Sequence, residues 1–189
     1  MLFYLGHRAR HRLGDPGERR SSPTVADELR SVPAQDGHVR LFAGTATSGE
    51  PVYEVVPAVR AGQTVYEILG SPGLATGCAA GDRVRVDADG RFEIITRGGN
   101  VCLVVYPPTP PDDDAVAVLR EAFGRLAGQV EAPVDKRFIV VTVPVSAGFP
   151  AIEAVVVEWT SRIGAEWYYG NVYDEDDRPI GWWEKDTRI

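Results

Sequence analysis

The feature that most constrains the fold is a run of three strand-like segments between Gly77 and Tyr106. Apolar and charged side chains alternate over residues 83–86 and 91–94, as expected of strands that are buried on one face only. Asp89-Gly90 between them suits the positive φ angles of a tight hairpin turn. Residues 101–105 are nearly all apolar, which predicts a strand that is buried on both faces and joins an N-terminal β unit to the rest of the chain.

Five short strands are predicted between residues 38 and 100. Three candidates, at residues 39–43, 52–56 and 64–69, precede the hairpin and are separated by breaks rich in Gly, Ser, Thr or Pro. Residues 70–81 contain four glycines and a proline, a composition too irregular for a helix or strand. So many short strands in roughly 60 residues are typical of a small barrel or a strongly curved sheet.

The order of elements after residue 100 predicts a ferredoxin-like βαββαβ sandwich. Apolar residues at three- and four-residue spacing predict a first helix over residues 115–126, and a second helix is expected from about Pro150 to Ile163. The intervening and final strands are predicted at residues 130–134, 138–143 and 166–172. This order places two helices on one face of an antiparallel sheet.

We therefore expect an α+β protein made of four segments. They are a flexible arginine-bearing extension (1–37), a small barrel-like β unit (38–100), a ferredoxin-like unit (101–173) and an acidic and aromatic C-terminal tail (174–189). Met1 is the only methionine, which leaves open whether residues 1–37 are functional or an artefact of the start site.

Charge and hydropathy argue against two classes of partner. The net charge is −7, and residues 41–189 carry 13 basic and 22 acidic side chains, which disfavours binding to nucleic acid. The apolar residues 1–5 are too few for a signal peptide or a membrane span. We expect a cytoplasmic protein, and the excess of Arg over Lys suggests a bacterium with a GC-rich genome.

The residue inventory excludes the commonest catalytic and metal centres from the body of the protein. All three histidines, His7, His11 and His38, fall in the extension or at its border. Cys78 and Cys102 lie 24 positions apart without a CxxC pair, so no zinc site or disulfide framework is supported. We expect no cofactor, no metal and no catalytic residue, and the sequence favours a non-enzymatic protein without deciding the question.

Arg97, Gly98, Gly99 and Asn100 are the candidate ligand-binding residues. A guanidinium and free backbone amides at such a turn suit an anion such as a carboxylate or phosphate. The simpler interpretation is a turn whose glycines supply positive φ angles. Two acidic clusters, at residues 112–114 and 174–177, are interpreted as a helix cap and a solvated turn. The alternative for 112–114 is a cation site or general acid–base pair, and for 174–177 it is a cation site or a contact with a basic partner.

Aromatic residues concentrate near the C-terminus and are the candidate protein interface. Trp167 and Tyr169 face one side of the last strand and Tyr168 the other. Trp182-Trp183 follows the acidic turn. Core packing is the simpler interpretation, but aromatics beside charged turns are also typical of binding hot spots.

Two short motifs carry a resemblance to a known family. Gly81-Asp82-Arg83-Val84 and Arg97-Gly98-Gly99-Asn100, followed by the βαββαβ order, resemble the bacterial family called domain of unknown function 4265 over residues 38–183. By this resemblance, a serine is usual in the family at the position where this chain has Gly98. The resemblance implies the fold and names no activity.

We expect a cytoplasmic module that binds a protein partner, with an immunity, antitoxin-like or accessory role as one concrete version. The alternative is a sensor or binding domain for a small anionic ligand at the turn formed by residues 97–100. A third possibility is a hydrolase or transferase that relies on carboxylates alone, such as those of residues 112–114. The sequence does not indicate the oligomeric state.

Overall fold

The computed structural model describes residues 37–174 and 176–187, so the predicted extension lies outside the described residues except for Gly37. Nine strands, two α-helices and two short 3₁₀ helices make up this described part of the chain. They are β1 (Gly37–Thr45), β2 (Pro51–Arg60), β3 (Val65–Ile68), β4 (Arg83–Val86), β5 (Phe92–Thr96), β6 (Asn100–Tyr106), α1 (Asp113–Gly124), β7 (Gln129–Glu131), β8 (Ile139–Pro144), a 3₁₀ helix (Val145–Ala147), α2 (Phe149–Ile163), β9 (Glu166–Tyr169) and a second 3₁₀ helix (Trp182–Thr187).

The first sheet is an antiparallel meander in the order β1-β2-β3-β4-β5. The predicted β4–β5 hairpin is confirmed, with Gly90 at a φ of 77°. The edge strands β1 and β5 do not pair, so the described residues form an open sheet and no closed barrel. β1 reaches the hairpin only at its turn, where the Phe42 amide donates to the Gly90 carbonyl at 2.7 Å. The prediction of a barrel-like unit is therefore not confirmed.

The second sheet has the order β7-β8-β6-β9, and all its neighbouring strands are antiparallel. Both helices and all four strands follow one another along the chain as predicted. β7 is shorter than expected and ends before Pro133, because proline has no N–H to donate to the ladder. The described residues thus form a mixed α+β structure with two antiparallel sheets and two α-helices.

Local signals in the sequence explain where the two helices begin and end. The Asp112 carboxylate accepts a hydrogen bond from the Ala115 amide at 2.7 Å and caps α1. Pro150 lies in the first turn of α2, and Gly164 ends the helix in the left-handed conformation at a φ of 68°. No helix in the described ranges has the length and apolar character needed to span a membrane.

β6 is the strand on which the two layers of the core meet. Val101, Leu103 and Val105 pack with α1 and α2 on one face. Cys102 and Val104 face the other way and pack with residues that include Ala79 from the β3–β4 loop. Burial on both faces is confirmed for the whole run of residues 101–105.

The β3–β4 loop, residues 69–82, is the layer that covers the second face of the sheet. The Gly77 amide donates to the Gly170 carbonyl at 2.7 Å, and the Thr142 hydroxyl donates to Ser71 at 2.6 Å. At Gly73 a Cβ would lie 2.4 Å from the Phe138 ring, so the loop backbone lies directly on an aromatic side chain. The glycines of this loop allow the close approach.

Candidate functional site

The predicted ligand turn surrounds a buried carboxylate. The Asp82 side chain has no exposed surface and accepts hydrogen bonds from the Ala79 amide at 3.0 Å and the Gly98 amide at 2.7 Å. The Arg97 guanidinium donates to the same carboxylate at 3.0 Å. Burial raises the pKa of Asp82, while the two amides and Arg97 oppose that increase.

Arg97 makes further contacts inside the protein. It donates to the Gly77 carbonyl at 2.8 Å, and its guanidinium carbon lies 5.4 Å from the centre of the Trp182 ring. Its side chain is 19% exposed. Arg97 therefore ties the β3–β4 loop to the β5–β6 turn.

Gly98 and Asn100 are held by the same loop. A Cβ at Gly98 would lie 2.3 Å from the Gly81 carbonyl carbon, so this position has no room for a side chain. The Asn100 carboxamide donates to the Ala80 carbonyl at 2.8 Å. The structure brings the four predicted residues, 97–100, together in one turn. Binding of an anion there stays a prediction.

The predicted interface residues lie in one aromatic cluster, which we define as Phe149, Trp167, Tyr169, Tyr173, Trp182 and Trp183. Tyr169 is central, since the ring centres of Trp167, Phe149 and Tyr173 lie 5.1, 5.7 and 6.1 Å from its own. Tyr169 and Trp182 are buried, whereas the other four are half-buried. Core packing and an accessible aromatic surface therefore occur in the same cluster.

Polar contacts fix the aromatic cluster to α2 and to the sheet. The Tyr169 hydroxyl donates to Glu153 at 3.1 Å, and the Trp182 indole donates to the Asn171 carbonyl at 2.9 Å. The fully buried Asn171 side chain accepts from the Cys102 amide and donates to the Asn100 carbonyl, both at 2.9 Å. Asn171 thus connects the cluster to β6 and to the ligand turn.

The sequence interpretation did not single out Asn171, Asp82 as a buried acid, or Glu54. Glu54 accepts hydrogen bonds from the amides of residues 73, 74 and 75, each at 2.8 Å, and so anchors the β3–β4 loop. A single acid within the apolar segment 52–56 is a signal that could have identified Glu54. For Asn171, the signal is a Gly-Asn pair directly after an aromatic strand.

The acidic clusters follow their simpler interpretations. Asp112 caps α1, and Lys136 lowers the pKa of Asp113 through a hydrogen bond and its charge. The Asp174 carboxylate accepts from the amides of Asp176 and Arg178 at 2.9 Å and so closes a turn. Within the described residues, no group of three or more His, Cys, Asp or Glu side chains could hold a metal ion.

Both cysteines are free and fully buried. Burial raises the pKa of Cys102 to about 12 and also raises that of Cys78. Each thiol therefore stays protonated near neutral pH and is a poor nucleophile.

A cleft of about 200 Å³ lies between the two sheets beside Asn100. Its polar side chains come from β3, β6, β7 and β8, and the loop contributes backbone. The lining includes Glu67, Ala80, Gly81, Asn100, Gln129 and Thr142.

Comparisons with known proteins bear on the family and the fold. The family model described as Domain of unknown function (DUF4265) matches residues 54–167. No curated protein shows significant similarity to the chain. A solved structure, described as a novel crystal structure of a hypothetical protein from Neisseria gonorrhoeae, is similar with a TM-score of 0.56 at 14% sequence identity. The similarity covers 72% of this chain and 94% of that protein, and at this identity it concerns the fold alone.

Proposed function

We propose that the protein is a non-enzymatic cytoplasmic module. The chain belongs to the DUF4265 family, and that family's description names no activity. In this proposal it binds a protein partner through the aromatic cluster. The specific role we propose for this binding is an immunity, antitoxin-like or accessory role.

The observation that carries the proposal is the fixed, half-buried pair Trp167 and Trp183. The Trp183 ring centre lies 5.1 Å from that of Phe149 and 5.7 Å from that of Trp182, whose indole is itself hydrogen bonded. Aromatic side chains that are already held in place lose little conformational freedom on binding, and they supply much of the affinity of protein interfaces.

Charge around the aromatic cluster indicates the chemistry of the partner. Exposed acidic residues adjoin its members in sequence: Glu166 precedes Trp167, Asp174 follows Tyr173, and Glu184 follows Trp183. The partner surface we propose is apolar at its centre and carries Lys or Arg at its rim, because opposite charges steer association and fix its register.

The finer description of the fold is part of the same proposal. The antiparallel order β7-β8-β6-β9, with a helix after β6 and another after β8, supports a ferredoxin-like arrangement of residues 101–173. The hydrogen bond from Phe42 to the β4–β5 turn supports a curved, partly closed first sheet.

The test is an affinity capture with the full chain from a lysate of the source organism, followed by binding measurements with the purified partner. Replacing Trp183 by alanine is expected to weaken binding about 30-fold, equivalent to about 2 kcal/mol. Val59→Ala is the matched control, because Val59 is a 52% exposed apolar residue on the other sheet.

Glu184→Lys is a second variant that leaves the aromatic packing intact. It is expected to weaken binding through repulsion of a basic partner surface. The proposal fails if the wild-type chain retains no protein beyond what Trp183→Ala retains, or if the control weakens binding as much as Trp183→Ala does.

Small-anion binding at residues 97–100 is the second candidate, and the 19% of the Arg97 side chain that stays exposed is the observation that favours it. An anion at Arg97 would compete with Asp82, which already holds the guanidinium. In this version, phosphate raises the melting temperature of the wild-type chain and does not raise that of Arg97→Ala or Asn100→Ala. Equal stabilisation of all three by phosphate would exclude it.

A further inference from the structure

The cleft beside Asn100 has a lining rich in hydrogen-bond acceptors. The Asn100 Nδ2 group is used by the Ala80 carbonyl, and Oδ1 of the same side chain accepts no hydrogen bond from any residue within the described ranges. The Thr142 hydroxyl donates to Ser71, which leaves its oxygen available only as an acceptor toward the cleft. Of the cleft's side chains, Gln129 and the second Nδ2–H of Asn100 are the N–H donors without a partner inside this part of the chain.

The charge at the cleft is negative. Glu67 lines it, and no Lys or Arg among the described residues does. Glu131 lies two residues after Gln129 on the same face of β7, and its Oε2 atom would be 4.0 Å from a Cβ placed on Gly70. Glu67 pairs with Arg83 of the neighbouring strand at 3.4 Å. That pair is more than 40% exposed on both sides and is therefore weak.

The dimensions of the cleft limit the size of its ligand. Its volume of about 200 Å³ is below the roughly 300 Å³ at which pockets for drug-sized ligands begin. A nucleotide is too large for such a space, but an alkyl chain with one charged end group fits it.

We infer that this cleft binds a small organic cation whose primary ammonium or guanidinium group donates hydrogen bonds to Glu67 and Asn100. A donor-only cation matches a lining that offers acceptors and a carboxylate, whereas an anion would meet the Glu67 carboxylate and no Lys or Arg side chain in the lining. This site is separate from the aromatic cluster, and the inference does not depend on partner binding there.

The experiment is a titration of the full chain, followed by ¹⁵N–¹H NMR, with butylguanidinium and butylammonium chlorides. Butyramide serves as the neutral analogue and sodium phosphate as the anion. We expect saturable shifts of the Gly81, Asn100 and Gln129 amides with the two cations. Glu67→Gln is expected to weaken that binding about tenfold, the loss of one hydrogen bond to a charged group.

Glu93→Gln is the matched control, because Glu93 pairs with Arg85 across neighbouring strands of the same sheet without lining the cleft. The control is expected to bind both cations as the wild-type chain does. The inference is overturned if the cations produce no saturable shift at the three amides, if butyramide or phosphate binds as tightly as butylguanidinium, or if Glu67→Gln and Glu93→Gln have equal effects.

Discussion

At the residue scale, Asp82 shows how a charged group becomes part of a core. Its carboxylate is fully buried and would be costly alone, but two amides and Arg97 satisfy it. The motif Gly81-Asp82 was recognisable in the sequence as the start of a hairpin strand. Its pairing with Arg97, 15 positions away, was not, because ion pairs between strands depend on the register of the sheet.

Arg97→Ala is expected to lower the free energy of unfolding by about 3 kcal/mol at neutral pH, since it leaves Asp82 buried without its cation. Loss of Arg97 raises the pKa of Asp82 further. A carboxylate whose pKa is higher in the folded state than in the unfolded state favours folding when it is protonated. The loss of stability in Arg97→Ala is therefore smallest below the unfolded-state pKa of Asp82 and grows as the pH rises through its folded-state pKa. Urea unfolding at neutral and acidic pH measures both effects.

Arg85→Ala is the control for that measurement, because the Arg85–Glu93 pair is more than half exposed. We expect a change within about 0.5 kcal/mol. A deficit in Arg97→Ala that does not change with pH would contradict the role given to Asp82.

At the element scale, the β3–β4 loop covers one face of the second sheet, as a layer of helices would. Hydrophobic periodicity identified β6 as buried on both faces, and the structure confirms it. The same reasoning left residues 70–81 as an irregular segment and could not show that they cover the sheet. Periodicity reports regular elements only, and this loop is held by the Glu54 carboxylate and by glycine contacts such as Gly73 on Phe138.

Glu54→Gln is expected to loosen this loop. A carboxamide has one acceptor oxygen where the carboxylate offers two, and its NH₂ group would oppose the loop amides, so the free energy of unfolding should fall by about 1–2 kcal/mol. Hydrogen exchange of the amides of residues 73–75 should accelerate more than that of β6.

Glu50→Gln, an exposed residue just before β2, is the control and should leave exchange in the loop unchanged. Unaltered protection of residues 73–75 in Glu54→Gln would show that the glycine and aromatic contacts hold the loop without the carboxylate.

At the scale of the whole molecule, the two sheets share the β3–β4 loop and the β5–β6 turn. The α+β class and the order of helices and strands were predictable, because each depends on local patterns. The cleft and the link through Asn171 were not, since both arise from residues that are distant in the chain.

We expect the two sheets to unfold in a single transition. All four tryptophans lie at positions 159–183, so their fluorescence reports on the second sheet and its helices, while far-UV circular dichroism reports on both sheets. The buried contacts of Cys102 and Val104 with the β3–β4 loop would be lost if either sheet unfolded alone. Coincident denaturation curves from the two signals are expected, and separated midpoints would indicate independent units.

Asn171 gives the molecule a route for thermodynamic linkage. Its carbonyl holds the Trp182 indole of the aromatic cluster, and its side chain holds the backbone of Asn100, which lines the cleft. A partner that shifts Trp182 and a cation that shifts Asn100 would each alter a hydrogen bond of Asn171. If the partner changes the affinity for the cation by some factor, the cation must change the affinity for the partner by the same factor. The coupling can therefore be measured by titrating either one in the presence of the other.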